Sequence, residues 1–427
     1  VAEKLAKVRE KMAEEGAEQL LISKLDDIMW LYNIRANDVD CNPVALSYTY
    51  VSKDKAVLFI QKAALTDEAE QHFEKSGVCC EDYDSVVTYL KSCEMTGKVW
   101  CSSADLSYML YKLVQSRAEL VDKNNPTEVL KAVKNPVELE HIRDCYIKDS
   151  AVLTKFLFWM KENAGKVPMN ELSVAAKLDS MRAELPGFLD LSFPTISAYK
   201  ANAAMAHYSA DEENFSTIEA DGFYLVDSGG QYEGGTTDVT RTIALGPVTD
   251  EMKLHFTKVA CSMLRLADTK FLHGCTGRNL DIVAREPLWQ CGLDYKHGTG
   301  HGIGYILNVH EGPHSLRWQY RPELPETELE EGMIVSDEPG MYVQDSHGIR
   351  TENIVEIVNE EKNEYGQFMG FRHLTYVPVD LDAIDTQYME PSDLCRLNAY
   401  HRSVYEKLSP YFEGNELEML RKATRPL

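Results

Sequence analysis

The segment His297-Gly298-Thr299-Gly300-His301-Gly302-Ile303-Gly304, continued at Asn308-Val309-His310-Glu311-Gly312-Pro313, sets three histidines among five glycines and a proline. Imidazole is the commonest transition-metal ligand and the side chain that titrates near neutral pH. Glycines around it accept turns that bring backbone and ligand close together. Carboxylates flank the segment on both sides. Upstream, residues 222–242 read as two β-type stretches around a Gly-rich turn, which is a hairpin signal. They deliver Asp227 behind Tyr224-Leu225-Val226 and Asp238 before Val239. Downstream, Glu338 ends the apolar run from Met333 at a Pro-Gly turn. Glu352 is expected inside an alternating strand from Ile349 to Ile357, with Arg350 two residues earlier on the same strand face. Taken singly, each acid has a plain reading as a turn residue, a cap or a solvent-facing side chain.

Taken together, Asp227, Asp238, His301, Glu338 and Glu352 give four carboxylates and one imidazole. Four negative charges cannot share a small volume unless cations neutralise them. Two divalent ions supply that charge, and bridging carboxylates would hold them about 3.5–4 Å apart. Oxygen-rich ligation with one histidine favours Mn²⁺, with Co²⁺ or Zn²⁺ also compatible. Arg350 is placed to hold a ligand carboxylate from behind.

The elements that must position these residues fall into two blocks. Residues 1–133 alternate helix and strand patterns, as in an α/β layer. Leu5, Val8 and Met12 share a helical face, short β-type runs occur at Gln19–Ser23 and Lys55–Ile60, and a helix is expected from Ala63 to Ser76. Residues 134–427 form the larger, α+β block, which carries the chemistry. It opens with Pro136 in the first turn of a helix reaching about Lys161, followed by a second helix from Met169 to Glu184. Hairpins with Gly-rich turns come next, interrupted by helices near 250–269 and 278–292.

Composition narrows the function classes. With 44 basic and 68 acidic residues in 427, the net charge is −24. That sign repels phosphate backbones and anionic lipid, so nucleic acid and membrane are poor partners. No apolar run reaches the ~18 residues a membrane helix needs. The ten cysteines lack framework spacing, as expected of reduced thiols in a cytoplasmic protein. Val1 opens an amphipathic helix without an initiating Met, as in a fragment or processed form.

The order Asp-x10-Asp, His within His-Gly-x-Gly-His-Gly, Glu within Asp-Glu-Pro-Gly and Glu within Arg-x-Glu-Asn resembles the pita-bread metallopeptidases. More narrowly, residues 227–242, Leu191–Ser197, Asn308–Pro313 and the 14-residue step from Glu338 to Glu352 resemble the cytosolic eukaryotic aminopeptidase P family. The likeness extends into the first block through Leu25–Arg35.

This resemblance implies a pita-bread catalytic domain at 134–427, ending in a helical segment. A creatinase N-terminal-like α/β domain at 1–133 would precede it, and the family's first domain would be absent. It implies the five metal ligands named above. It also implies His207, His297 and His310 in the site, with Glu338 as general base toward a metal-bridging water. His207 and His310 are expected to stabilise the oxyanion and His297 to shape the proline pocket. The substrates would be peptides with proline at the second position, cleaved at the N-terminal Xaa-Pro bond. A homodimer is expected through the catalytic and C-terminal region, where Leu394, Leu397 and Tyr400-His401 are spaced for a packing face. The rivals are a prolidase, a methionine aminopeptidase and a metal-free pita-bread peptide- or histone-binding module. The short Glu338–Glu352 step, the extra first block and the intact ligand set argue against them in turn.

Overall fold

The computed structural model describes residues 1–322 and 326–427. The chain divides into two compact units, Val1–Lys131 and Ala132–Leu427.

The first unit is built on a six-stranded mixed sheet. Its spatial order is Cys79–Asp82, Ala56–Ile60, Ser47–Ser52, Ala17–Ile22, Lys98–Cys101, Glu119–Asp122. Only Ser47–Ser52 runs against its two neighbours. Ala56–Ile60 is buried at every residue, the pattern of a strand covered on both faces. Leu5, Val8 and Met12 are buried along the first helix, as their spacing predicts. The expected helix from Ala63 to Ser76 is instead a 3₁₀ turn, Lys62–Ala64, followed by a helix, Asp67–Lys75. Thr66 separates them because its hydroxyl accepts the Ala69 N–H at 3.2 Å and caps the second helix.

The second unit begins with the helix Pro136–Asn163, where Asn135 and Glu138 form a reciprocal capping box ahead of Pro136. Beyond the second helix, Glu171–Ala183, lies a three-stranded antiparallel sheet in the order Val239–Ala244, Phe223–Ser228, Ile196–Tyr199. Every residue of Phe223–Ser228 and Val239–Ala244 is buried. Tyr224, Val226, Val239 and Ile243 pack with Leu153, Phe156, Leu157 and Met160 of the long helix. Phe223 joins Phe256, Val259 and Met263 of the helix Asp250–Ala267. The residues between the two strands do more than turn. Gly230–Tyr232 and Gly235–Thr236 make a separate small hairpin, which pairs with Phe188–Leu191.

A six-stranded antiparallel sheet carries the second half of the site. Its order is Phe271–Leu272, Gly366–His373, Asn353–Asn363, Ile334–Asp337, Gly300–Gly302, Glu311–Leu316. Val335, Val355, Ile357 and Met369 from this sheet meet Leu266, Leu280 and Ala284 of the helices Asp250–Ala267 and Gly277–Trp289. A two-stranded ribbon, Gly340–Val343 with His347–Arg350, lies between two of these strands in sequence. The continuous strand expected from Ile349 to Ile357 is therefore broken. Thr351 and Glu352 lie between His347–Arg350 and Asn353–Asn363, so Glu352 stands at a strand entrance.

Near the C-terminus, the helix Pro391–Leu408 turns Leu397, Tyr400 and His401 into the chain's own interior, while Leu394 is half-buried. That face is used within the monomer and carries no argument for a dimer.

Two buried histidines are held neutral by this packing. The Val379 N–H donates to His401 Nε2 at 3.1 Å, and burial pushes the His401 pKa down to about 3. Burial and the adjacent His255 push His347 down to about 4. Both values lie below the ordinary 6.5, so the unfolded chain binds more protons at mildly acid pH. This contribution to stability is complete above pH 6.5 and lost as pH falls toward 4. The buried acids of metal-free protein titrate with the opposite sign, so the test is a difference: from pH 6.5 to 4 the wild-type urea midpoint is expected to lose ground relative to that of His401→Gln. The same pH dependence in both proteins would contradict this account.

Candidate active site

The five ligand candidates come from two sheets of the second unit, the three-stranded sheet holding Phe223–Ser228 and the six-stranded one. Asp227 lies in the strand Phe223–Ser228, and Asp238 immediately precedes its partner, Val239–Ala244. His301 is the middle residue of Gly300–Gly302, Glu338 follows Ile334–Asp337 and Glu352 precedes Asn353–Asn363. The glycines beside His301 answer a spatial requirement. A Cβ at Gly300 would stand 1.8 Å from the Ser336 carbonyl oxygen, and one at Gly302 would stand 2.2 Å from that of Glu311. No other residue lets this strand pass between its neighbours.

One cleft of about 550 Å³ is lined by all five, together with His207, His297, His310 and Arg350. Ligand atoms of Asp238, His301 and Glu352 lie within 4.8 Å of one another. His301 Nε2 is 3.5 Å from both Asp238 Oδ2 and Glu338 Oε1. Asp227, Asp238 and Glu352 are buried, while Glu338 is the most open of the four carboxylates, with its side chain 20% exposed. His207 and His310 stand exposed at the mouth, and His297 is half-buried.

The electrostatics are those of like charges forced together out of water. Burial, then Glu352 and Asp227, push the Asp238 pKa well above the carboxylate range. Burial and Glu352 do the same to Glu338. Glu352 rises to about 8, from burial and then Asp227. Burial and His310 press His301 down to about 3, so its imidazole is neutral. Its Nδ1 lies 2.9 Å from the Gly302 carbonyl oxygen. Nδ1 therefore carries the proton and donates, leaving the Nε2 lone pair aimed at the acids. That is the tautomer a metal-ligating histidine takes.

Further groups complete the arrangement. Arg350 Nη2 donates to Asp227 Oδ2 at 2.5 Å and its Nε to Thr240 Oγ1 at 3.1 Å. Thr240 in turn donates to Glu352 Oε2 at 2.7 Å. Tyr342 accepts from Arg350 Nη1 at 3.0 Å and lies 2.9 Å from His297 Nε2. A continuous chain thus runs from His297 through Tyr342 and Arg350 to Asp227, with a branch to Glu352. Asp227 Oδ1 is buried without a hydrogen-bond partner, as are both oxygens of Asp337, which precedes Glu338 but does not line the cleft. Unpaired acids of this kind, beside a neutral imidazole with a free lone pair, fit a site built to hold cations.

The histidines have their own supports. Glu171, at the start of Glu171–Ala183, accepts from the Tyr199 N–H (2.6 Å), Asn202 (3.0 Å), Tyr208 OH (2.9 Å) and the Ser216 N–H (2.6 Å), so it pins the segment bearing His207. The small hairpin reaches the other side of the cleft, where Gln231 Nε2 donates to the Leu307 carbonyl oxygen at 2.9 Å. Next to His310, Glu311 forms a buried ion pair with Lys134. His301 and His310 meet edge to face at 4.4 Å between ring centres.

Every residue singled out for the site from sequence lines this cleft. Thr240, Tyr342, Glu171 and Arg317 were not singled out. Thr240 was findable, because it sits directly across the strand pair from Asp227. Tyr342 was findable in part: it pairs with Gly348 in the ribbon, which makes it a diagonal neighbour of Arg350.

The geometry agrees with comparisons to known proteins. Residues 140–359 match Metallopeptidase family M24, residues 1–138 the Creatinase/Prolidase N-terminal domain, and residues 367–427 the C-terminal region of peptidase M24. The chain belongs to metallopeptidase family M24. Its catalytic unit has the pita-bread fold of that family, and its sequence is of the aminopeptidase P kind. It is 35% identical to aminopeptidase P1 of Arabidopsis thaliana, spanning all of this chain and 74% of that one. It is 38% identical to Xaa-Pro aminopeptidase 1 of Dictyostelium discoideum, spanning all of this chain and 68% of that one. The structure of X-prolyl aminopeptidase from Caenorhabditis elegans, described as a cytosolic enzyme with a dinuclear active site, superposes with a TM-score of 0.93 at 31% identity, covering all of this chain and 71% of that one. Xaa-Pro dipeptidase from Bacillus anthracis gives 0.71 at 25% identity, covering 89% of this chain and 98% of that one.

Thr240→Val keeps shape but removes the hydroxyl shared by Arg350 and Glu352. It is expected to weaken divalent-metal affinity about 10- to 100-fold while the protein still folds. Metal titration followed by calorimetry tests this, and unchanged affinity would remove Thr240 from the ligand-orienting chain.

Proposed function

We propose that the chain is an X-prolyl aminopeptidase, a dinuclear metallo-exopeptidase that hydrolyses the N-terminal Xaa-Pro bond of peptides. The observation that carries this reading is the single cleft in which four carboxylates meet His301 Nε2, with three further imidazoles on its walls. Residues 1–133 would be the accessory α/β domain and 134–427 the catalytic domain. Asp227, Asp238, His301, Glu338 and Glu352 would hold two divalent cations, which we take to be Mn²⁺ from the oxygen-rich donor set. When bound, such ions supply Lewis-acid activation of water and of the scissile carbonyl.

The chain's own residues account for the rest. Glu338, the acid most open to the cleft, accepts the proton of the attacking water and passes it to the leaving prolyl nitrogen. His207 and His310 face the cleft mouth, where an imidazole N–H can donate to the developing oxyanion. Partial desolvation within the cleft lowers the His310 pKa from its ordinary value, which favours the neutral imidazole. His297, fixed by Tyr342 and by its 2.7 Å contact with the Gly298 carbonyl oxygen, is a rigid wall suited to the proline ring. The substrate's free amine would sit beside a cation site and its acidic ligands, which restricts action to the N-terminus. Proline at the second position has no amide N–H and a fixed φ, so a dedicated pocket is needed to seat its bond.

We place the enzyme in the cytoplasm, in line with its C. elegans counterpart and its free cysteines. Among the described residues no helix is long and apolar enough to cross a membrane. A homodimer is proposed from family likeness alone. Light scattering at micromolar concentration is expected to give twice the 48.3 kDa chain mass, and a monomer would remove that part of the proposal.

The activity is tested on Mn²⁺-loaded protein with an Xaa-Pro-Yaa tripeptide, its N-acetylated form and the Xaa-Pro dipeptide. The free tripeptide is expected to lose only its first residue, acetylation to block this, and EDTA or Asp238→Ala to abolish it. Cleavage of the dipeptide alone would make the protein a prolidase, the activity named for the B. anthracis neighbour. No cleavage and no bound metal would overturn the enzyme reading.

A further inference from the structure

Arg317 lines the same cleft, on the wall that carries the histidines. It follows the strand Glu311–Leu316 and seats its guanidinium against the backbone beside His297. A Cβ at Gly298 would stand 3.0 Å from Arg317 Nη2, so the guanidinium packs closely on this glycine. Arg317 is half-buried, and its Nε is fully buried with no hydrogen-bond partner. Among the described residues it forms no hydrogen bond or ion pair.

Other buried arginines of this unit are spoken for: Arg182 by Asp149, Arg285 by Asp281 and Asp294, Arg350 by Asp227, and Arg241 by the Glu352 and Val377 carbonyl oxygens. A second cation, Arg321, lies close enough to Arg317 to depress its pKa further, after burial. In a chain of net charge −24, an unpaired guanidinium facing a reaction cleft is out of keeping with its surroundings. Leaving a buried donor unmatched costs about 1–3 kcal/mol, more for a charged group. A ligand that supplies the acceptor recovers it.

We propose that Arg317 is a carboxylate-binding subsite on the leaving-group side of the cleft, selecting peptides that carry a carboxylate just beyond the proline. The direction follows from position: Arg317 Nη2 packs against Gly298, directly next to His297, the wall assigned to the proline ring. The guanidinium fork matches a carboxylate in two parallel hydrogen bonds. Two sources present this group: the free C-terminus of a short peptide, and an acidic side chain following the proline in a longer one. The inference rests on the aminopeptidase reading for its substrate, but the subsite itself can be tested without turnover.

The kinetic test compares Ala-Pro-Gly, Ala-Pro-Gly amide and Ala-Pro-Glu amide on the wild-type enzyme, Arg317→Gln and Arg317→Lys. In the wild type, amidation of Ala-Pro-Gly is expected to raise KM about tenfold, the scale of a charge-assisted hydrogen bond, with little change in kcat. The acid-to-amide ratio should collapse toward unity in R317Q and stay intermediate in R317K, which keeps the charge. Recovery of low KM by Ala-Pro-Glu amide assigns the site to side-chain carboxylates as well; no recovery confines it to the free C-terminus. Equal KM for acid and amide in the wild type overturns the proposal. So does an R317Q enzyme that loses kcat on every peptide alike, the signature of a structural role. Calorimetric binding of the product Pro-Gly against Pro-Gly amide separates the two readings. If no peptide is cleaved but Pro-Gly still binds tighter, and only with Arg317 present, the subsite stands and the aminopeptidase reading falls. Equal binding of the two products overturns the subsite whatever the turnover.

Discussion

Four carboxylates converge where water barely reaches, and mutual repulsion together with lost hydration opposes their ionisation. Asp238 and Glu338 are driven well above the carboxylate range and Glu352 to about 8. The Arg350 guanidinium faces them and, among the described residues, forms an ion pair with Asp227. The folded chain therefore holds the acids in an arrangement that favours added positive charge. Stability forgone here is recovered in the surrounding strands and helices, whose apolar side chains are buried on both sides of Phe223–Ser228.

The repulsion also explains why the site is assembled from two sheets with a polar chain between them. A single strand could bring two acids together, but would leave each free to swing away from the other. Thr240 and Arg350 remove that freedom by tying Asp227 and Glu352 to one another, and Tyr342 extends the same chain to His297. A change at the proline-facing wall and a change at the buried floor are thereby coupled through hydrogen bonds of fixed direction. At the break the Glu352 N–H donates to the Thr240 carbonyl oxygen at 3.1 Å, which holds Glu352 against that strand.

Legibility in the sequence followed the range of the interaction. The five ligand candidates and Arg350 were legible in acids that are costly to bury and in short motifs around each, whereas the site roles of His207, His297 and His310 came only with the family resemblance. The α/β character of the first block and the α+β character of the second followed from periodicity. The helix break at Thr66 was missed because a cap depends on one hydroxyl within an otherwise helical run. The small hairpin inside 229–236 was hidden because Gly-rich turns read alike whether or not they pair onward to Phe188–Leu191. Glu171 and Arg317 lay out of reach for a different reason. Nothing in their neighbouring residues shows that one gathers four donors and the other gathers no acceptor.

The fold does not decide the substrate. An Xaa-Pro dipeptidase shares this architecture over 98% of its length, and an X-prolyl aminopeptidase shares it more tightly. Chemistry on a common fold is set by the site, and specificity by the walls around it. Here the floor is acidic and suited to cations and a substrate ammonium, so it can fix where a peptide begins. What lies beyond the proline must be judged by groups farther along the cleft. Among these Arg317 is the charged one without a partner. A carboxylate placed directly on the proline and one placed a residue later differ in reach by a few ångströms. On the subsite proposed for Arg317, the span from the acidic floor to that guanidinium would separate a dipeptide from a longer chain, and specificity would be a matter of where one positive charge is held.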